Sequence, residues 1–153
     1  MGTWGPGAFD NDDALDLLDT LTEQDEARRR QTLERIFREA GEHPEDLSSF
    51  LGPGEVVAAA AVIAAGLEPG EAVAAEITGH GYDPEAVLIP ASTSGLADAA
   101  LDALLIAAGR DGAWLQGWVD AGTALQARQT TDRLASVFYR YQHRHEQELP
   151  LEP

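Results

Sequence analysis

Two groups of side chains in this sequence are of types that could move a proton or hold a metal ion. The first is the run Asp10-Asn11-Asp12-Asp13, and the second is His80, which lies between two glycines, with Asp83 nearby. Histidine titrates near neutral pH, so His80 and Asp83 are candidates for acid and base work in an accessible loop. If folding joined them to the carboxylates of Asp10 to Asp16, the product would be the site of a small metal-dependent hydrolase.

The aspartate run does not have the spacing of a calcium-binding loop. An EF-hand loop that began at Asp10 would need an oxygen ligand at its fifth position, glycine at its sixth and glutamate at its twelfth. The sequence has Ala14, Leu15 and Leu21 at these positions. We therefore predict no metal site there, and we interpret residues 10–13 as the capped start of a helix with a solvated acidic face.

Other catalytic patterns are absent from the sequence. The histidines do not form the His-Glu-x-x-His pattern of zinc proteases, and there is no cysteine, no lysine for a phosphate loop and no Gly-x-Ser-x-Gly elbow. The sequence thus predicts no catalytic residue and no cofactor, and it favours a protein that is not an enzyme. The four histidines are His43, His80, His143 and His145.

The strong acidity of the chain has two interpretations: it maintains solubility, which is the simpler account, or it attracts a basic partner. The sequence has 27 acidic residues against 10 basic ones and a formal net charge of -17. Nucleic acid binding depends on Lys and Arg that displace counterions from phosphates, so we predict no nucleic acid partner. A basic protein would be attracted over a long range. All ten basic residues are Arg, a composition typical of a GC-rich bacterial genome.

Apolar residues recur at helical spacing along nearly the whole chain. This pattern predicts an all-α fold, a compact bundle of about five to six helices around an Ala-rich central helix, with residues 1–149 as one domain and residues 150–153 as a frayed tail. The central helix is predicted over Glu55–Ala65, because this run is apolar on every side. No helix or strand is assigned firmly over residues 68–93, where a brief strand is one alternative.

The first helix is expected to begin at Asp10 or Asn11 and to have two opposed faces. Ala14, Leu17, Leu18 and Leu21 would face the core, while Asp12, Asp16 and Asp19 lie together on the opposite side. We call these three aspartates the acidic face, and they are the candidate binding surface. Arginines between positions 28 and 38 of a second helix, over residues 23–40, could neutralise this face, or a basic partner could; internal pairing is the simpler account.

Four further features complete the predicted helices. Gly41 is expected to end the second helix, and a helix is predicted over residues 95–108 with Leu105 in its core stripe. Trp114, Trp118, Ala121 and Leu125 follow at helical spacing, with an interruption at Gly122-Thr123. For the two tryptophans, core packing is favoured over a role as interface anchors. A last helix is expected around Leu134, Val137, Phe138 and Tyr141.

The N-terminal segment carries the most specific pattern of the sequence. Gly2-Thr3-Trp4-Gly5 precedes Phe9 and the aspartate run, and this arrangement resembles the bacterial family catalogued as domain of unknown function 4259. The resemblance implies a small helical protein and supplies no catalytic residues. We expect an ordered loop in which Trp4 and Phe9 anchor onto the core, and Trp4→Ala to cost about 3 to 5 kcal/mol. The motif residues are Gly2, Trp4, Gly5, Phe9, Asp10, Asn11, Asp12 and Asp13.

Two classes of function therefore remain at the level of sequence. The first is a non-enzymatic acidic interaction protein of the immunity, antitoxin or adaptor kind that binds a basic partner. The alternative is the metal-dependent hydrolase with the N-terminal aspartates and His80. We expect a cytoplasmic protein without membrane association, because no signal peptide pattern is evident and the longest apolar run is about half of a bilayer span. No feature of the sequence specifies an oligomeric state.

Overall fold

The fold is described by a computed structural model that covers residues 5–42, 52–88, 94–108, 114 and 121–148. Within these ranges the secondary structure is helical and contains no strand, so the all-α prediction is confirmed. The helices are α1 (Asp12–Glu23), α2 (Glu26–Glu42), α3 (Pro53–Ala65), α4 (Glu71–Gly79), α5 (Ser94–Ala108) and α6 (Ala121–Glu148). Short 3-10 turns lie at Glu68–Gly70 and Pro84–Ala86.

Helix α3 is the centre of the bundle, as its all-round apolar sequence predicts. Every residue from Val56 to Ala65 is buried. The helix packs against α1, α2, α4, α5 and α6. Its alanine side chains are small, so the neighbouring helices can approach its backbone closely, and Gly66 is its C-cap.

Helices α1 and α2 are separated by a tight turn rather than a loop. The predicted core stripe of α1 is confirmed, because Ala14, Leu17, Leu18 and Leu21 are all buried. The Asp25 carboxylate accepts a hydrogen bond from the backbone N–H of Arg28 at 2.9 Å, which fixes the start of α2. The prediction that Gly41 ends α2 is wrong, since the helix continues to Glu42.

The segment left open by the sequence contains α4 and two short turns. Pro69 and Gly70 belong to the 3-10 turn before α4, just as Pro53 and Gly54 open α3. A Cβ atom at Gly70 would collide with the backbone carbonyl of Ala64, so glycine is required where the chain turns back over the end of α3. The described part of this segment, up to Leu88, has no strand.

Helix α6 differs from the prediction at its start. It runs without a break through Gly122 and Thr123. These two residues lie in the first turn, where no residue has to donate its backbone N–H within the helix, so they do not interrupt it. Leu125 is 58% exposed, and Leu105 on α5 is 45% exposed. The prediction that these two leucines belong to the core is therefore wrong. Leu134, Val137 and Phe138 are buried as predicted.

Trp114 anchors the chain between α5 and α6. It is buried, and its indole N–H donates to the carbonyl of Ala127 at 3.1 Å. Its predicted core position is therefore confirmed. Trp118 and the predicted tail at residues 150–153 lie outside the described residues.

In the part of the chain that the structure describes, no single helix is long and apolar enough to cross a membrane. A pair formed by Pro53–Ala65 and Glu68–Gly79 has sufficient length and apolar composition, but it is bent by 116°.

Candidate functional site

The N-terminal loop, residues 5–10, folds around the carboxylate of Asp10. The backbone N–H of Gly7 donates to Asp10 Oδ2 at 3.0 Å, and the N–H of Gly5 donates to the Asp10 carbonyl at 3.3 Å. A Cβ atom at Gly5 or Gly7 would lie 2.7 or 2.5 Å from Asp10 Oδ2. A side chain at either position would therefore displace the Asp10 carboxylate from its present place.

His80 joins this loop to the end of α4. Its imidazole Nε2 lies 3.4 Å from Asp10 Oδ1. The ring also meets Phe9 edge to face, with the two ring centres 6.1 Å apart. Phe9 is only 1% exposed, which confirms its predicted place in the core. The histidine that the sequence singles out thus has a carboxylate partner, and that partner is Asp10.

An open cleft of about 620 Å³ lies beside this contact. Its walls are the N-terminal loop, the end of α4 and one side of α6. Glu76 of α4 and Arg133 of α6 form an ion pair across it, with Arg133 Nη1 3.5 Å from Glu76 Oε1. The lining residues are Pro6, Gly7, Phe9, Asp10, Glu76, Gly79, His80, Gln126, Gln129, Thr130 and Arg133.

The pKa of the Glu76 carboxyl is raised above its usual value. Burial is the largest cause, and the negative charge of Asp10 adds to it, while Arg133 and His80 act in the opposite direction. Glu76 therefore shares one electrostatic environment with Asp10, His80 and Arg133. Glu76 is not among the residues predicted from sequence, although its position one helical turn before His80 is a signal that could identify it.

Asp83, the other predicted acid or base, has a different partner. Its carboxylate accepts from the backbone N–H of Glu85 at 3.1 Å and caps the Pro84–Ala86 turn.

Tyr82, between His80 and Asp83, links this segment to α1, because its hydroxyl donates to Asp19 Oδ1 at 2.6 Å. This hydrogen bond is the main reason why the pKa of Tyr82 is raised to about 12.

Asn11 and Asp13 of the aspartate run lie at the starts of two helices. Asn11 is 3% exposed and is the N-cap of α1, where its Oδ1 accepts from the backbone N–H of Ala14 at 2.8 Å. Its side chain also packs against Gly54, because a Cβ atom at Gly54 would lie 2.8 Å from Asn11 Oδ1. Among the described residues the Asn11 Nδ2 group has no hydrogen-bond partner.

Asp13 stands beside the start of α3. A Cβ atom at Gly52, the N-cap of that helix, would lie 2.7 Å from Asp13 Oδ2. A carboxylate is favourable there, because the N-terminal end of a helix has a partial positive charge.

The described residues contain no group of three or more His, Asp or Glu side chains placed to hold a metal ion.

The acidic face is exposed on the outer side of α1. Asp12, Asp16 and Asp19 are all exposed. In the described ranges no arginine lies within ion-pair distance of Asp16 or Asp19. The arginines of α2 have other partners: Arg29 donates to the carbonyls of Leu21 and Leu88, at 2.9 and 3.2 Å, and Arg30 pairs with Glu34 at 3.0 Å. The expected pairing of the acidic face with the arginines of α2 is therefore not found at Asp16 or Asp19.

Further carboxylates crowd the region where α1, α2 and α3 meet. The pKa of Glu55 is raised, first by burial and then by the negative charges of Asp13, Glu39 and Asp16. Arg35 is the one cation among these causes, and it acts in the opposite direction. The negative potential of the acidic face therefore extends to neighbouring helices.

Comparison with known proteins identifies a family. The family described as Domain of unknown function (DUF4259) matches residues 2–130. No curated protein and no solved structure gives a significant match to the chain. Two residues behind the family resemblance have structural roles here, since Phe9 is in the core and Asn11 caps α1; Gly2 and Trp4 lie outside the described residues. Because the match spans most of the sequence, the chain belongs to the family Domain of unknown function (DUF4259).

Proposed function

We propose that this protein is a non-enzymatic interaction module of the immunity, antitoxin or adaptor type, which binds a basic protein partner in the cytoplasm. The observation that carries the proposal is the exposure of Asp16 and Asp19 without an arginine at ion-pair distance among the described residues. The formal net charge of -17 supports it.

The acidic face has an electrostatic cost that a basic partner would relieve. Asp16 and Asp19 are three residues apart on one helix face, and like charges about one turn apart repel by a few tenths of a kcal/mol. The repulsion also reaches Glu55 of α3, because the negative charges of Asp13, Glu39 and Asp16 add to burial, the largest cause, in raising the pKa of that carboxyl. A cationic surface placed over these carboxylates would convert the repulsion into attraction and would accelerate encounter at low salt.

The test is affinity capture at low ionic strength from the organism that makes the protein, followed by binding measurements with each purified captured protein. We expect a basic partner whose affinity falls as salt is added, since exposed charge pairs are screened. Asp16→Asn should weaken binding by about fivefold to tenfold, because one close charge pair at an interface contributes about 1 kcal/mol or more.

The matched control is Asp102→Asn, which removes the same charge from an exposed position on α5. It should change the affinity by less than about twofold. Equal effects of the two variants would show that only net charge matters and would count against the acidic face. Binding that does not respond to salt would contradict the proposal outright.

A metal-dependent hydrolase is the second candidate, and the contact between His80 and Asp10 is the observation in its favour. It predicts that Mg²⁺, Ca²⁺ or Zn²⁺ raises the melting temperature, because a ligand that binds only the folded state stabilises it. Asp10→Asn should abolish that increase. An unchanged melting curve in all three metals would remove this candidate.

A further inference from the structure

The cleft beside His80 has two chemically different walls. On one side, α6 presents Gln126, Gln129 and Arg133 at spacings of three and four residues, so their side chains share one helix face. On the other side stand the carboxylates of Asp10 and Glu76. A ligand for this cleft must therefore satisfy amide groups on one side and negative charge on the other.

The glutamine wall has unused hydrogen-bonding capacity. Gln126 and Gln129 are both exposed, and within the described ranges their side-chain amides have no hydrogen-bond partner. A primary amide is both donor and acceptor, as is each peptide unit of an extended chain. Two such groups three residues apart on a helix can bond an extended segment that lies along the cleft.

The present partners of the two wall carboxylates lie at long distances from them. The contacts are 3.4 Å from His80 to Asp10 and 3.5 Å from Arg133 to Glu76, whereas charge-assisted hydrogen bonds are usually about 2.7 to 2.9 Å long. The Arg133 side chain is 62% exposed. A guanidinium group thus already lies beside Glu76, and a better-placed one could replace it.

A short segment of the chain connects the cleft to the acidic face. Residues 79–82 run between them, since His80 contacts Asp10 at one end and Tyr82 contacts Asp19 at the other. A partner attracted to the acidic face would therefore meet the cleft at its edge. The net charge of -17 makes an anionic occupant unfavourable.

We propose that the cleft receives an extended segment of the basic partner, with one arginine or lysine side chain between Asp10 and Glu76 and with Gln126 and Gln129 bonded to its backbone. This inference rests on the proposed function and adds a recognition element to it. The acidic face attracts the partner, and the cleft selects a segment with a suitably spaced cationic side chain.

The probe for this inference is a capped pentapeptide with a central arginine and only glycine and serine elsewhere, titrated into the full chain and followed by NMR. We expect saturable shifts of the Gln126 and Gln129 side-chain amides and of the His80 ring. The same peptide with citrulline in place of arginine lacks the positive charge and should not produce them.

Three variants distinguish the cleft from general acidity. Glu76→Gln should weaken peptide binding by about tenfold, as the loss of one charged partner does. Arg133→Gln should tighten it by about threefold, because the internal competitor is removed; a variant that merely failed to fold could not bind more tightly. Asp102→Asn, with the same charge change as Glu76→Gln, should leave the affinity within about twofold.

Failure of this inference can be separated from failure of the proposed function. If the peptide binds but Asp16→Asn weakens it and Glu76→Gln does not, the cleft is not the recognition site while the acidic face stands. Equal binding of the arginine and citrulline peptides, or no binding of either, would also overturn the inference. The proposed function itself is decided by the whole partner.

Discussion

The Nε2 atom of His80 lies 3.4 Å from Oδ1 of Asp10, and this contact links the end of α4 to the loop that precedes α1. The Asp10 carboxylate also accepts from the N–H of Gly7, so one side chain holds both its own loop and a distant helix. Phe9, the residue before Asp10, packs its ring against the same histidine. The N-terminal loop is therefore an integrated part of the bundle.

Phe9→Ala should lower the free energy of unfolding by about 3 to 5 kcal/mol, because a fully buried aromatic ring leaves a large cavity when it is removed. Phe9→Leu keeps most of the apolar volume and should lose less, about 1 to 2 kcal/mol. Urea denaturation measures both. A loss near zero for Phe9→Ala would show that the loop is not packed on the core; the similar expectation for Trp4→Ala stays a prediction.

Two glycines that the sequence does not distinguish should respond in opposite ways to alanine. Gly70→Ala should destabilise the protein by more than about 2 kcal/mol, since its Cβ would meet the Ala64 carbonyl and the backbone would have to move. Gly41→Ala has open space around the new Cβ, within a helix, and should stabilise by about 0.5 to 1 kcal/mol. Thermal melts of the two variants side by side make the comparison; a change of the same sign in both would contradict it.

This pair of glycines also shows what local sequence can and cannot predict. The apolar patterns of α1, α3 and α5 placed the start of each helix to within about two residues, because the stripes of α1 and α5 have to face the core and α3 is apolar on every side. Glycine is a less reliable signal, as the continuation of α2 past Gly41 demonstrates. Whether a glycine ends a helix depends on packing elsewhere, and Gly70 is fixed by a contact with α3 that no local pattern contains.

The capping role of Asn11 predicts a graded response. Asn11→Ala removes the acceptor for the N–H of Ala14 and should lower stability by about 1 to 2 kcal/mol. Asn11→Ser retains a capping oxygen and removes the Nδ2 donor, which has no partner among the described residues, so it should lose less. Denaturation by urea tests the order. If Asn11→Ser lowered the stability as much as Asn11→Ala, the contribution of Asn11 would not come from capping.

The hydrogen bond from Tyr82 to Asp19 predicts a late tyrosine titration. The bond requires the protonated phenol, so it raises the pKa of Tyr82 to about 12, above the ordinary value of about 10. The stability it contributes is complete below about pH 10 and is lost as the pH rises through about 12. Tyrosinate absorbance should show one of the three tyrosines ionising near pH 12, and Tyr82→Phe should lack this step. If the variant retains it, the assignment is wrong.

The candidate site was only partly accessible from sequence. His80 was identified by its residue type and its flanking glycines, and Asp10 by its cluster. Their contact could not be deduced, because it depends on how α4 packs against α3 and on a loop that closes around one carboxylate. Likewise, the charge of the chain predicted an acidic surface, but only the packing shows that Arg29 and Arg30 are engaged away from Asp16.

The most direct test of the central claim is the rate at which the purified partner associates, measured by stopped flow over a range of salt. From about 0.01 M to 1 M salt the screening length falls from about 30 Å to about 3 Å. If the acidic face steers a basic partner, the association rate constant should fall by at least about tenfold over this range, and Asp16→Asn should reduce the dependence more than Asp102→Asn. A rate constant that does not change with salt, or that rises, would contradict the account.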